Sequence, residues 1–126
     1  MTELNRRIQQ FYDGSTDLWL DTWGEHMHHG YYERADGPVD HRQAQLRLIT
    51  ELLQWGGVQE AGRILDAGCG VGGSARVLAG LYDAQVLGCT LSPVQAHRAH
   101  QFNLRAGLQE QVEIQARDMM SLQQSD

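Results

Sequence analysis

Residues 64–73 read Ile-Leu-Asp-Ala-Gly-Cys-Gly-Val-Gly-Gly. Two apolar residues lead into an acid, and the acid leads almost directly into a glycine-rich loop. That is the pattern of a buried parallel strand turning into a helix, with backbone left bare for a nucleotide-like ligand. Gly68, Gly70 and Gly73 satisfy G-x-G-x-x-G, which alone is a weak signal. Asp66 narrows it, because a dinucleotide would bring a pyrophosphate up against that anion. A nicotinamide site also wants an acid roughly 20 residues further on, to hold the ribose. Thr90 stands at that place instead. A cofactor carrying an ammonium and a sulfonium suits Asp66, and S-adenosylmethionine is such a molecule. The competing reading is a tight turn that binds nothing.

Other residues fall where the same ligand would reach. Thr90-Leu91-Ser92-Pro93, with Gln95 behind it, places a hydroxyl and a helix start near a ribose. Asp118 ends a strand-like run, where an adenine amino group could donate to its carboxylate; a solvated acid or a helix cap is the plainer reading. Met119 can cover an adenine face or belong to the core. Cys69 offers small size and a backbone contact within the loop, not thiol chemistry.

These residues need elements to hold them. Leu4, Ile8 and Phe11 recur at helical spacing and predict a short helix over 2–13, which Gly14 should end. Residues 14–39 are broken by Gly14, Gly24, Gly30 and Gly37-Pro38. Six of the nine aromatic residues lie between 11 and 32, so this entry segment reads as an aromatic lid. Asp40 is a good N-cap for a second helix, with a stripe of Leu48, Ile49, Leu52 and Leu53, that Gly56-Gly57 stops near Trp55. Strands are predicted at 63–67, 85–90 and 112–116, and a helix at 74–81. Ser92-Pro93-Val94-Gln95 opens another helix as a capping box with proline at its first position, and Gly107 closes it.

The fold class is therefore α/β: the N-terminal half of a Rossmann-like, doubly wound parallel sheet of three strands, behind a helical, aromatic-rich lid. The lid takes 1–57 and the incomplete ligand-binding domain 58–126. Strand 1 of such a sheet normally pairs with a fourth strand on its other side. None follows here; the tail 121–126 is short and polar. An exposed apolar sheet edge is expected, and the chain reads as a fragment or as half of an assembly that pairs through that edge.

Composition bounds the partners. Hydrophobic residues are 41% and charged residues 21%, the globular range. Sixteen acids against ten bases leave a net charge of −6 with no basic run, which argues against nucleic acid. No apolar stretch approaches the roughly 20 residues of a membrane span. The N-terminus has no secretory pattern, and two cysteines make no disulfide framework, so a cytoplasmic setting, with at most peripheral membrane contact, is expected.

Asp66-Ala-Gly-Cys-Gly-Val-Gly-Gly and Thr90-Leu-Ser-Pro-Val-Gln resemble motifs of class I S-adenosylmethionine-dependent methyltransferases. Phe11-Tyr12-Asp13, Leu18-Trp19, Trp23-Gly-Glu-His-Met-His-His-Gly-Tyr-Tyr32 and Asp40-His-Arg-Gln-Ala-Gln45 are similar to the narrower γ-tocopherol methyltransferases and to the alkaloid N-methyltransferases derived from them. The resemblance covers essentially the whole chain. It implies methyl transfer to a ring carbon of a prenylated phenol, or to an alkaloid amine or another small phenol. It also implies that most acceptor contacts lie in a half of the family fold that is absent here. A phenol becomes a better carbon nucleophile on losing its proton, so a base is expected. His28 and His29 are the candidates, with His26 beside them; each could equally make a structural hydrogen bond. A metal held by these three histidines is disfavoured by their crowding in sequence. Tyr12 and Tyr31 could turn ring faces to the sulfonium or simply pack the lid. A reading of another class is a non-catalytic module that pairs through its sheet edge.

Overall fold

A computed structural model describes residues 1–33 and 40–122. The expected break at Gly37-Pro38 and the last four residues of the polar tail lie outside the described residues. Strands β1 (Arg63–Ala67), β2 (Gln85–Thr90) and β3 (Val112–Ala116) form one parallel sheet in the order β1-β2-β3. Helices α1 (Glu3–Trp23) and α2 (His41–Trp55) precede it. Helices α3 (Gly73–Tyr82) and α4 (Pro93–Ala106) make the two crossovers. This is the predicted α/β architecture.

Register explains the core. Ile64, Val86 and Val112 are partners across the sheet, as are Asp66, Gly88 and Ile114. Strand side chains alternate faces, so these rows share one face. Ala75 and Ala79 of α3 and Ala96 and Ala99 of α4 pack onto it. Four alanines let both helices lie close to the strands. Gly88 has the same purpose from below: a Cβ there would stand 2.5 Å from Ile114 Cδ1 and 2.9 Å from Cys69 Sγ. Among the described residues β1 pairs only with β2, and Leu65 in its middle is 49% exposed. The expected open edge is there.

Helix α1 departs from expectation. It runs 21 residues, straight through Gly14, to a C-cap at Gly24 with φ 77°. A mid-helix glycine costs about 1 kcal/mol. Contacts outside the helix offset that. Thr16 is fully buried, Asp13 accepts from Ser92 Oγ, and Asp17 pairs with Arg98 of α4 at 2.8 Å. Tertiary packing overrode local propensity. The stripe of α2 is also narrower than read: Ala44, Gln45 and Ile49 are buried, whereas Leu52 is 56% exposed.

Candidate functional site

A cavity of about 580 Å³ opens at the carboxyl ends of the strands. A larger hollow, about 890 Å³, lies around Arg63, Gln85 and Gln111, at the strands' amino ends. In open α/β sheets the crevice at the carboxyl ends is the ligand site. The smaller cavity also holds the chemistry.

Ten predicted cofactor residues reach it: Tyr12, Asp66, Gly68, Cys69, Gly70, Thr90, Leu91, Gln95, Asp118 and Met119. His28 lines it as well, but Ser92 and His29 do not. His29 is exposed and meets the Trp23 ring edge-on at 6.0 Å, which serves the entry segment's own packing.

Asp66 is the last residue but one of β1, with its Oδ2 buried and without a hydrogen-bond partner among the described residues. Burial raises its carboxyl above the ordinary carboxylate range; the His28 ring and the Ala75 backbone N–H act the other way. A buried acceptor left bare carries a desolvation cost, so it marks a place built for a donor. Beside it the chain turns at Gly68, φ 80°, and Gly70, φ 55°, with open space where each Cβ would be. Ligand atoms can therefore approach the backbone directly. The Gly68 and Cys69 N–H groups both donate to Cys89 O at 2.9 Å, which pins the loop to β2. Burial pushes the Cys69 thiol up to about 12, so it stays protonated and unreactive.

Thr90 differs from expectation. Its hydroxyl donates to Gln95 Oε1 at 2.7 Å and accepts from the Ser92 N–H at 3.2 Å. Ser92 caps α4 by accepting from the Gln95 N–H at 3.0 Å. The capping box is thus half made. Gln95 turns its side chain to Thr90 and to Met27 Sδ instead of back to the Ser92 N–H. Thr90 and Gln95 build the cavity wall more than they present free groups to it, and Ser92 serves as the cap of α4.

The entry segment closes the other side. His28 Nδ1 lies 2.7 Å from the His29 carbonyl, which can only accept, so Nδ1 carries the hydrogen. Its Nε2 is then a bare acceptor, buried and without a partner among the described residues. Gln45, itself buried, donates its side-chain amide to the carbonyls of His26 and His28 and fixes this stretch to α2. Gly73 of α3 is where the stretch meets the glycine loop, since a Cβ there would stand 2.4 Å from Glu25 O. No described group of three His, Cys, Asp or Glu residues could hold a metal ion.

Sequence reasoning missed Asn5, Trp19, Glu25 and Met27, which also line the cavity. Asn5, Ile8, Tyr12 and Trp19 follow one face of α1. The signal was the helical period, and the misread stop at Gly14 hid it.

His26 carries a pH signature. It is 8% exposed, and burial with the nearby His28, Arg42 and Arg76 lowers its pKa from 6.5 to about 4, against an opposing pull from Glu25. The unfolded chain takes up this proton below pH 6.5 while the folded chain resists it down to about pH 4. Stability is therefore lost as pH falls through that window, by on the order of 3 kcal/mol from this residue. His26→Gln should flatten the difference between urea midpoints at pH 7.5 and pH 4.5. A variant whose midpoint moves with pH as much as the parent's would show that His26 is not the source.

The family model described as mycolic acid cyclopropane synthetase matches residues 1–125. The rice (Oryza sativa subsp. japonica) protein named "Probable tocopherol O-methyltransferase, chloroplastic" is 42% identical over 124 residues, 93% of this chain and 34% of its own length. The 2-methyl-6-phytyl-1,4-hydroquinone methyltransferase of Synechocystis sp. is 43% identical over 82 residues, 61% of this chain and 25% of its own. Among solved structures, the [4+2]-cyclase SpnF superposes with TM-score 0.86 at 33% identity, over 97% of this chain and 45% of its own. The chain thus spans about a third of the rice relative's length.

Proposed function

The chain belongs to the mycolic acid cyclopropane synthetase family, and from that premise we propose that it carries the cofactor site of an S-adenosylmethionine-dependent methyltransferase acting on a prenylated phenol. The observation that carries this reading is Asp66 Oδ2, a buried acceptor with no donor among the described residues, beside glycines that leave backbone open to a ligand. An ammonium supplies the missing donor with a matching charge. The similarity to a protein described as a cyclase means that the fold alone does not decide the reaction; the residues of the site do.

In this reading Asp66 holds the amino group of the methionine part. Gly68 and Gly70 would lie against the sugar, Leu91 and Met119 would cover the adenine, and Asp118 would accept from its amino group. Tyr12, which lines the cavity, would offer its ring to the sulfonium. The bound cofactor supplies an electrophilic methyl with a neutral thioether as leaving group, so positioning supplies much of the rate. His28 Nε2, already in the acceptor tautomer, would take and hold the phenol proton and so make the ring carbon more nucleophilic. The tocopherol and hydroquinone methyltransferase names of the relatives support a phenolic acceptor.

Calorimetric titration of the folded chain with S-adenosylmethionine should give saturable one-to-one binding, and NAD should give none. A folded chain that binds NAD, or binds neither, would remove this reading.

A further inference from the structure

Asp118 stands at the cavity rim where the purine amino group would go, yet both of its carboxylate oxygens already have donors. The Met120 N–H gives to Oδ1 at 3.0 Å, a local bond that caps the short 3-10 turn at Met119–Ser121. Asn5 Nδ2 gives to Oδ2 at 2.5 Å, across 113 residues of sequence. Asn5 sits in the first turn of α1 and lines the cavity itself. Its carboxamide N–H is the same kind of planar donor as the amino group of adenine.

We propose that Asn5 is a resident competitor for the purine amino group, and that its bond to Asp118 latches the first turn of α1 over that end of the cavity. The inference rests on the reading that the cavity takes S-adenosylmethionine with Asp118 at the adenine. A bond to an ionised acceptor is stronger than one between neutral groups. Asn5 Nδ2 fills one of the two acceptor directions of Oδ2, so a ligand whose amino group takes that direction must displace it, and only the unlatched fraction of the protein is competent to bind. Apparent affinity falls by that fraction.

The latch is separable from the rest of the lid. Further along α1, Asp13 accepts from Ser92 and Asp17 pairs with Arg98, so the helix stays on α4 while its first turn lifts. Thr2 caps α1 through the backbone N–H of Asn5, at 3.1 Å, so loss of the side chain leaves the cap intact.

The test is the affinity of S-adenosylhomocysteine for the parent, Asn5→Ala, Asn5→Asp, and each change combined with Asp118→Ala. Asn5→Ala should bind about threefold to tenfold tighter than the parent. Asn5→Asp, which keeps the size and replaces the donor with an acceptor, should move the same way. In the Asp118→Ala background the gain should vanish, because the contested oxygen is gone. Affinity unchanged or weakened by Asn5→Ala, or a gain that persists without Asp118, would overturn the inference and leave the cofactor reading standing. A folded parent that binds no S-adenosylhomocysteine would overturn that reading, and the latch with it.

Discussion

Asp66→Asn weakens cofactor binding sharply and at the same time makes the empty protein more stable. The two effects have one cause. Asp66 Oδ2 is buried without a donor among the described residues, and burial raises the carboxyl pKa from its ordinary 3.8. For an acid raised in the folded state, the sign runs against stability. As pH rises above 3.8 the unfolded chain releases this proton and the folded chain holds it. Stability is lost across that window, and the loss persists at neutral pH. Asparagine carries no charge to desolvate, so the thermal midpoint of Asp66→Asn should exceed the parent's at pH 7 and match it below pH 3.8. Binding moves the other way. Loss of an ionic hydrogen bond should weaken S-adenosylmethionine by roughly 100-fold, about 2.7 kcal/mol. Parent affinity should also fall as pH drops through the raised carboxyl, while that of Asp66→Asn stays flat there. Retained affinity would show that another group faces the ammonium. A lowered midpoint would show that Asp66 has a structural partner, and the case for a site that trades stability for function would fail.

What the sequence made legible was whatever short-range rules govern. The strand limits at 63–67, 85–90 and 112–116 were readable because each strand is fenced by glycine, proline or a capping residue. Ser92 at the start of α4 and Gly107 at its end act within four residues, and both stand as read. The place of Asp66 beside the glycine loop was readable because the two lie within a few residues of each other. Helix α1 was not, because the contacts that carry it through Gly14 come from Ser92 and Arg98, about 80 residues away in sequence. The state of the site's polar groups was hidden for the same reason. Thr90 and Asp118 line the cavity, yet the Thr90 hydroxyl is already engaged by Gln95 and the Asp118 carboxylate by Asn5. His28 stood out from His29 only once the tautomer could be assigned from its neighbour's carbonyl. Period and punctuation place a side chain on a face; they do not say which partner it has already found.

Arg76 is the residue whose loss should cost most in stability, and no motif pointed to it. It lies on α3, 8% exposed. Its Nη1 donates to Val71 O at 2.9 Å and to Asn103 Oδ1 at 3.0 Å, and its Nη2 meets Glu25 Oε2 at 2.8 Å. Asn103 of α4, 1% exposed, passes the link on by donating to Val112 O of β3 at 2.9 Å. One guanidinium thus ties the glycine loop, α4 and the entry segment together. The Glu25 side chain is 41% exposed, so the ion pair itself contributes little, as solvent-screened pairs do. The larger share lies with the two buried acceptors, which lose their donor in a place water does not reach. Arg76→Met keeps the hydrophobic stem and should cost about 2–4 kcal/mol in urea unfolding, whereas Glu25→Gln should cost no more than about 1 kcal/mol. Equal losses for the two variants would mean that the ion pair dominates after all. Cofactor affinity supplies the second readout. Glu25, Met27 and His28 line the cavity from the segment that Arg76 tethers, so Arg76→Met should weaken binding even at temperatures where it is fully folded. A folded variant with parental affinity would show that Gln45 and the close seat at Gly73 hold the segment without it.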